Sequence, residues 1–268
     1  MNIIEISDIN SPELFDYAKA TESELYHANE PYGEGYFIAE SPYVISLAIE
    51  SGYKPVSFLV QKSMVEHELL KSTNVPIYTA QDNILTKITG FNLTFGMLCK
   101  MQRKKKADIQ ALCQNAKRIA VLEHIMNPTN IGAIMRSAAA LGIDALLLSH
   151  DCADPLYRRA SRVSMGTVFK VPWAFFGKNE PYKNIEFLKA QGFKTVAMAL
   201  TDNSVSIDDE RIKKCEKLAI VLGSEGEGLT EDTIGACDFT VKIPMQNGVD
   251  SLNVAAASAL AFWEIKKQ

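Results

Sequence analysis

The chain has 268 residues, of which 47% are hydrophobic and 22% charged, and its formal net charge at pH 7 is −4. This length is enough for one large domain or two ordinary domains with buried cores. The negative net charge excludes a basic field over the whole molecule, so any site for nucleic acid must be local.

The residue pattern also argues against several other protein classes. The first 17 residues contain acids and no apolar core, unlike a signal peptide, and no apolar run approaches the length of a membrane span. The five cysteines are scattered without a CxxC pair, a spacing that favours neither a zinc site nor a disulfide framework. We therefore expect a soluble, cytoplasmic protein with reduced thiols, no membrane segment and no metal.

Residues 1–105 are predicted to form a small α/β domain. Pro42 and Gly52 mark the start and the end of its clearest helix. Apolar patterning predicts further elements in the order strand 35–41, helix 42–52, strand 54–61, helix 63–72, strand 75–80, a helix after residue 82 and strand 95–101.

A basic stretch then interrupts the pattern. Residues 102–118 contain six Lys or Arg and one Asp, and residues 106–117 are predicted to be a linker between domains. Two readings of the run formed by Arg103, Lys104, Lys105 and Lys106 stay open. It is either a solvated connector or a contact to an RNA backbone.

Residues 118–268 are predicted to form a second α/β domain. Continuously apolar strands such as 118–125, 143–149 and 217–223 are typical of a parallel sheet buried on both faces. The other predicted elements are helices at 130–141 and 185–192, a short helix after residue 230, a helix from about 251, and strands at 168–173, 194–200 and 239–245.

Three polar stretches follow strands of this second domain, where a parallel sheet places its ligand sites. In the first stretch Asn130 can cap a helix. Arg136, about two turns further on, is either an ordinary exposed arginine or one that faces an anion.

The second stretch is Leu-Gly-Ser-Glu-Gly-Glu-Gly at 222–228. Its glycines have the reverse order of the dinucleotide fingerprint, and the Lys-Ser/Thr pair of a P-loop is lacking. Glu225 and Glu227 would repel a pyrophosphate, so a phosphate cradle is disfavoured. The glycines would still let another ligand lie against the backbone, or the stretch is a plain acidic turn.

The third stretch, 243–254, ends a strand at Pro244 and turns at Asn247-Gly248. Asp250 or Ser251 can cap the following helix, which is rich in small residues and can pack closely against the sheet or a partner subunit. Three such strand-end loops predict one converging site.

In this order, residues 130–136, 222–228 and 243–254 resemble the three sequence motifs of the SpoU/TrmH family, and residues 154–166 resemble the family's loop between motifs one and two. The family consists of S-adenosylmethionine-dependent RNA ribose 2′-O-methyltransferases of the SPOUT superfamily. Residues 1–105 look like the ribosomal-protein-like α/β domain that binds the substrate RNA. The resemblance thus implies a C-terminal SPOUT-type α/β domain, 118–268, with a trefoil knot and a mostly parallel sheet.

The resemblance also implies the cofactor, its site and the assembly. S-adenosylmethionine would lie bent in the knot, held largely by backbone groups, and two subunits would pair through the knotted domain. The cofactor-binding positions implied in this sequence are Leu200, Thr201, Leu222, Gly223, Ile243, Met245 and Leu252.

The family motifs imply a catalytic set of Asn130, Arg136, Glu225, Ser251 and Asn253. Asn130 and Asn253 would position groups, and Glu225 would hold Arg136 or Asn130. A free arginine has a pKa above about 12 and is a poor base, so a phosphate clamp is the easier role for Arg136. Ser251 is either a cap or a substrate contact, and the role of Glu227 is open.

The expected reaction is transfer of a methyl group to a ribose 2′-hydroxyl of rRNA or tRNA, with rRNA preferred. A non-catalytic RNA-binding or ribosome-assembly factor on the same fold is the alternative, and a nucleotide-dependent oxidoreductase is disfavoured by the glycine order. Besides the basic run at 103–106, the residues expected to contact RNA are Arg158, Arg159 and Arg162.

Overall fold

The structure is a computed structural model and describes residues 1–8, 10–30, 33–89, 95–224 and 226–266. The chain forms two compact units. The first contains Met1–Lys105 and Leu156–Phe169, and the second contains Lys106–Pro155 and Lys170–Gln268. The segment Leu156–Phe169, which we predicted as part of the second domain, therefore belongs to the first unit.

Each unit contains one sheet. The strands of the first sheet are β1 Asn2–Glu5, β2 Tyr36–Glu40, β3 Lys54–Gln61, β4 Pro76–Ala80 and β5 Met97–Gln102. The strands of the second sheet are β6 Arg118–Leu122, β7 Ala145–Leu148, β8 Trp173–Phe175, β9 Lys194–Met198, β10 Val205–Ser206, β11 Leu218–Leu222 and β12 Phe239–Lys242.

Twelve α-helices occur among the described residues. In the first 105 residues these are α1 Phe15–Ala18, α2 Glu22–His27, α3 Pro42–Glu50, α4 Glu68–Lys71 and α5 Asp82–Thr89. The others are α6 Ile109–Asn115, α7 Pro128–Leu141, α8 Arg158–Val163, α9 Pro181–Ala190, α10 Glu210–Lys213, α11 Glu231–Ala236 and α12 Val254–Ile265. No helix of the described residues is long and apolar enough to cross a membrane.

The sheet of the first unit is mixed, with the strand order β1-β4-β3-β5-β2. The pairs of β4 are parallel, whereas β5 runs antiparallel to β2 and β3. The helix predicted at 63–72 is shorter than expected. Its first part is a 3-10 turn at Lys62–Met64, and α4 begins only after His67. His67 has an extended backbone and caps α4, because its ring Nδ1 accepts a hydrogen bond from Leu69 N.

The segment Leu156–Phe169 packs into the first unit through α8 and a 3-10 turn. α8 lies against β2, and the Phe169 ring lies 5.9 Å from that of Phe37 and 5.2 Å from that of Tyr53. The strand predicted at 168–173 is wrong for this reason, because these aromatic contacts hold Thr167–Phe169 in the turn and β8 begins only at Trp173.

The sheet of the second unit has the order β10-β12-β9-β11-β6-β7-β8, and every neighbouring pair is parallel. All residues of β6, β7 and β11 are buried, which confirms the predicted parallel sheet covered on both faces. One face is covered by apolar side chains of α6, α9 and α11, while α12 packs against α7 and β11.

The stretch predicted as a linker, 106–117, is folded into the second unit. Asp108 caps α6 by accepting a hydrogen bond from Gln110 N, and Cys113 and Ala116 lie in the core of this unit. This short helix was missed in the sequence because only a few of its residues are apolar and because a run of basic residues precedes Asp108.

Candidate active site

A cavity of about 400 Å³ lies at the carboxyl ends of β9, β11 and β12, three strands that are neighbours in the second sheet. It is lined by residues of the segments 198–200, 222–229, 241–245 and 250–257. We call it the strand-end cavity. Two of the three polar stretches singled out in the sequence thus meet at one edge of the sheet, as expected for parallel strands.

The glycine loop forms one wall of this cavity and is tightly closed on itself. Ser224 and Gly228 form an antiparallel bridge, in which Gly228 N donates to Ser224 O at 3.1 Å. A Cβ on Gly223 would lie 2.4 Å from the carbonyl carbon and oxygen of Gly228, whereas a Cβ on Gly226 would meet nothing within 4 Å. Gly223 is therefore required by the packing of the loop itself.

Six of the seven predicted cofactor-binding residues line the strand-end cavity. These six are Leu200, Leu222, Gly223, Ile243, Met245 and Leu252. Thr201 is not among the lining residues. Its backbone N donates to Ser204 Oγ at 2.8 Å and its hydroxyl is 2.9 Å from the same oxygen, so Thr201 serves the turn that follows β9.

The structure brings Asn130 and Asn253 together. Asn130 is buried in the first turn of α7, and its Oδ1 accepts a hydrogen bond of 3.3 Å from Asn253 Nδ2. Asn253 Oδ1 accepts from Ala255 N at 2.9 Å and so caps α12. This contact joins the first and third polar stretches of the sequence.

Two predicted helix caps were wrong. α7 begins at Pro128 and is capped by Asn127, whose Oδ1 accepts from Thr129 N at 2.9 Å, because a cap must precede the first helical residue. Asn130 lies inside the helix, which leaves its amide for Asn253. Likewise α12 is capped by Asn253, while Asp250 and Ser251 are exposed and line the strand-end cavity.

Arg136 and Glu225 do not join this contact in the described part of the molecule. Arg136 is exposed on α7 and makes no hydrogen bond or ion pair with the described residues. It follows Asn130 by six residues on a helix with about 3.6 residues per turn, so the two side chains project from different faces. Glu225 lies outside the described residues.

The family is decided by comparison with known proteins. The model of the SpoU rRNA Methylase family matches residues 117–263, more than half of the chain. This chain belongs to the SpoU family. The family predicted from the three motifs is confirmed, and the matched range contains the strand-end cavity and the Asn130–Asn253 contact.

Relatives of this SpoU-family protein match it over most of its length. An uncharacterized tRNA/rRNA methyltransferase of Mycobacterium bovis is 33% identical over 98% of this chain and 92% of its own. The 23S rRNA (guanosine-2′-O-)-methyltransferase RlmB of Acinetobacter baylyi is 30% identical over 75% of this chain and 82% of its own.

A solved structure shows the same fold. The AdoMet-bound rRNA methyltransferase from Sinorhizobium meliloti superposes with a TM-score of 0.82, covers 98% of this chain and 97% of its own, and is 22% identical. The predicted α/β fold of the SPOUT type, with its mostly parallel sheet, is confirmed.

Several of the basic residues expected to contact RNA are engaged within the first unit of the SpoU-family chain. Glu40 is buried, and its carboxylate lies 3.2 Å from Arg162 Nη1 and 3.9 Å from Arg158 Nε. Arg103 is buried too. Its Nε donates to Tyr36 O at 3.1 Å, and its guanidinium lies 4.5 Å from the centre of the Tyr26 ring.

The remaining predicted contacts are exposed. Lys104 lies over the Tyr53 ring at 4.7 Å and donates to the carbonyl of Ser51, so its charge remains near the surface. Lys105, Lys106 and Arg159 are also exposed. The basic run at 103–106 is thus divided, because Arg103 points into the unit and the three lysines do not.

Sequence reasoning missed a polar cluster at the ends of β6 and β7. His124 has a φ of 57°, and its Nδ1 lies 2.7 Å from Asp151 Oδ2. Its backbone N donates to Ser149 Oγ at 2.9 Å, and that hydroxyl donates to Asp151. The hydrogen bond with Asp151 raises the pKa of His124. No local signal in the sequence could show that His124 meets residues on the next strand.

Proposed function

We propose that this protein transfers the methyl group of S-adenosylmethionine to a ribose 2′-hydroxyl of RNA, with rRNA preferred over tRNA, in the cytoplasm. The observation that carries the proposal is the strand-end cavity next to the paired amides of Asn130 and Asn253. The relatives agree with it, since one is named as an uncharacterized tRNA/rRNA methyltransferase and another as a 23S rRNA (guanosine-2′-O-)-methyltransferase.

The residues of the strand-end cavity fit S-adenosylmethionine. A volume of about 400 Å³ is within the usual range of small-molecule sites. Leu222, Ile243 and Leu252 offer apolar surface for the adenine ring, and Glu227 and Asp250 place negative charge near a cationic ligand. The bound cofactor supplies an electrophilic sulfonium methyl group.

Asn130 and Asn253 orient the reacting ribose in this proposal. The Asn130 amide retains hydrogen-bonding capacity beyond this contact, because an amide has two donors and two acceptor lone pairs, and Asn253 holds it in place. The cap on α12 and the position in the first turn of α7 hold both side chains on rigid elements. Fixing the 2′-oxygen in line with the methyl group is worth several orders of magnitude in rate.

Arg136 clamps a phosphate next to the reacting ribose. Its exposed guanidinium has no partner among the described residues. It can therefore form a bidentate contact with a phosphate without first breaking an ion pair with any of them. We assign Glu225 to holding one of these polar groups and Ser251, which lines the cavity, to a substrate contact.

A homodimer through the second unit is part of the proposal. α12 carries large apolar side chains that are far from buried in one chain, with Leu260 48% and Trp263 58% exposed. Several alanines of α12 lie between these two side chains and the buried face of the helix, and their small size would allow another helix to approach closely. Substrate RNA would be bound by the first unit, whose exposed cations include Lys104, Lys105 and Arg159. Lys106, with which the second unit begins, is a further exposed cation that we propose to contact RNA.

The test is methyl transfer from labelled S-adenosylmethionine to RNA from cells that lack the gene, followed by mapping of the 2′-O-methyl positions. Arg136→Ala should lower kcat/KM by about 100-fold or more, Arg136→Lys should restore part of it, and Lys183→Ala, which changes an exposed side chain of α9, should be neutral. Tight RNA binding without cofactor binding would instead favour the non-catalytic assembly factor.

A further inference from the structure

A second cavity, of about 670 Å³, lies at the same edge of the second sheet. Its lining residues follow β6, β7, β8 and β11, which are neighbours in the order β11-β6-β7-β8. Glu227, Gly228 and Leu229 line both this cavity and the strand-end cavity, so the glycine loop is a shared wall.

The lining carries an excess of negative charge, and we call this space the acidic cavity. The carboxylates outnumber the lysine by five to one, which gives a net charge of −4 when the two lining histidines, His124 and His150, are neutral. The charged groups are Glu123, Asp151, Glu180, Glu227, Glu231 and Lys178.

Among the described residues, only one of these carboxylates forms an ion pair. Asp151 lies 2.7 Å from His124, whereas the four glutamates have no Lys, Arg or His within ion-pair distance among the described residues. The carboxylates also come from four separate segments, so the negative charge surrounds the cavity and is not concentrated at one point.

Glu123 adds a buried negative charge to this set. It is 6% exposed, and its carboxylate accepts hydrogen bonds from Thr230 N at 3.1 Å and from Thr233 Oγ1 at 2.7 Å. Both donors are neutral. Buried carboxylates are usually paired with a cation, because desolvation of an isolated charge is costly. A cation in the acidic cavity would supply that pairing.

Asn184 gives an independent indication of a ligand. It is only 7% exposed, lines the acidic cavity from α9, and its carboxamide makes no hydrogen bond with any other described residue. Nearly all buried polar groups in proteins are hydrogen-bonded. An amide left without a partner at a cavity wall is therefore suited to a ligand that brings its own hydrogen-bonding groups.

We propose that the acidic cavity binds an organic polyamine. Ammonium groups spaced along a flexible chain can reach carboxylates on several segments at once, and the carbonyl oxygen of Asn184 can accept from one of them. A phosphate would be repelled by the same carboxylates. Because Glu227 lines both cavities, a bound polyamine also lowers the negative charge beside the strand-end cavity.

The experiment is calorimetric titration of the full chain with spermidine at constant ionic strength. We expect saturable binding of one molecule with a Kd at or below about 1 mM. Glu180→Gln and Glu231→Gln change exposed side chains, so the fold should persist, and each should raise the Kd about two- to fivefold. Glu186→Gln is the matched control, since Glu186 is exposed on the same helix as Asn184 but does not line the cavity.

Asn184→Ala tests the amide separately, with thermal unfolding measured in parallel to show that the variant is folded. It should weaken spermidine binding at least threefold without removing charge. The proposal is overturned if no saturable heat is observed, if Glu186→Gln weakens binding as much as Glu231→Gln, or if Mg²⁺ at equal ionic strength displaces spermidine completely. The last result would indicate a diffuse counterion atmosphere.

Discussion

Replacing Gly223 by alanine should destabilise the protein and the strand-end cavity together. The added Cβ would lie 2.4 Å from two backbone atoms of Gly228, and real Cβ contacts stay beyond 3.0 Å, so the loop must open by at least about 0.6 Å. Backbone atoms cannot rotate aside as a side chain would. Overpacking costs about 1–3 kcal/mol, and loss of the hydrogen bond between Gly228 N and Ser224 O adds about 1 kcal/mol.

The free energy of unfolding should therefore fall by about 2–4 kcal/mol, measured by urea denaturation, and S-adenosylmethionine affinity should fall with it. Gly226→Ala is the control in the same loop. Its Cβ meets nothing within 4 Å, so we expect a change within about 0.5 kcal/mol or a small gain. The reasoning is refuted if the two variants behave alike, or if Gly223→Ala retains wild-type stability and affinity.

Three further predictions concern polar contacts. Arg118→Met should lower the free energy of unfolding by about 2–4 kcal/mol, measured by urea denaturation. The buried Arg118 guanidinium donates to three backbone carbonyls, including the last one of α12. An unchanged free energy of unfolding would refute this role. His124→Asn should be destabilising at about pH 5.5 and nearly neutral at about pH 8.5. The bond to Asp151 raises the folded-state pKa of His124, so its contribution is present below the unfolded value of about 6.5 and is lost as the pH rises through the folded value. Because this side chain is 41% exposed, the difference should not exceed about 0.5 kcal/mol, and equal effects at both pH values would contradict it. Glu40→Gln should release Arg162 and strengthen salt-dependent binding of unrelated RNA in filter assays; unchanged binding would show that the arginine stays inaccessible.

The second sheet could be predicted because strands buried on both faces have mostly apolar sequences. Strands β6, β7 and β11 are covered on both faces, so all their positions except Arg118 at the start of β6 are apolar, and the sequence shows continuous apolar runs. The convergence of the strand-end loops followed from the rule that parallel strands end at one edge. The individual cofactor-binding positions that line the strand-end cavity came instead from the resemblance to the family motifs.

What could not be predicted depends on contacts between residues far apart in the chain. Glu40 and Arg162 are separated by 122 residues, and no periodicity records that one neutralises the other. The same holds for α8, whose sequence resembles a basic surface helix although it lies against β2. At shorter range, Asn127 and Asn130 are both good caps by residue type, and only the position of the first helical residue separates them.

The placement of Leu156–Phe169 has a consequence for modularity. The chain passes between the two units three times, after Lys105, after Pro155 and after Phe169. A gene fusion that transplanted only residues 1–105 onto another enzyme would leave Glu40 without its guanidinium partners and the aromatic cluster without Phe169. Residues 1–105 alone therefore do not contain the whole first unit. Recombination could move it intact only together with a piece of the chain that lies inside the methylase sequence.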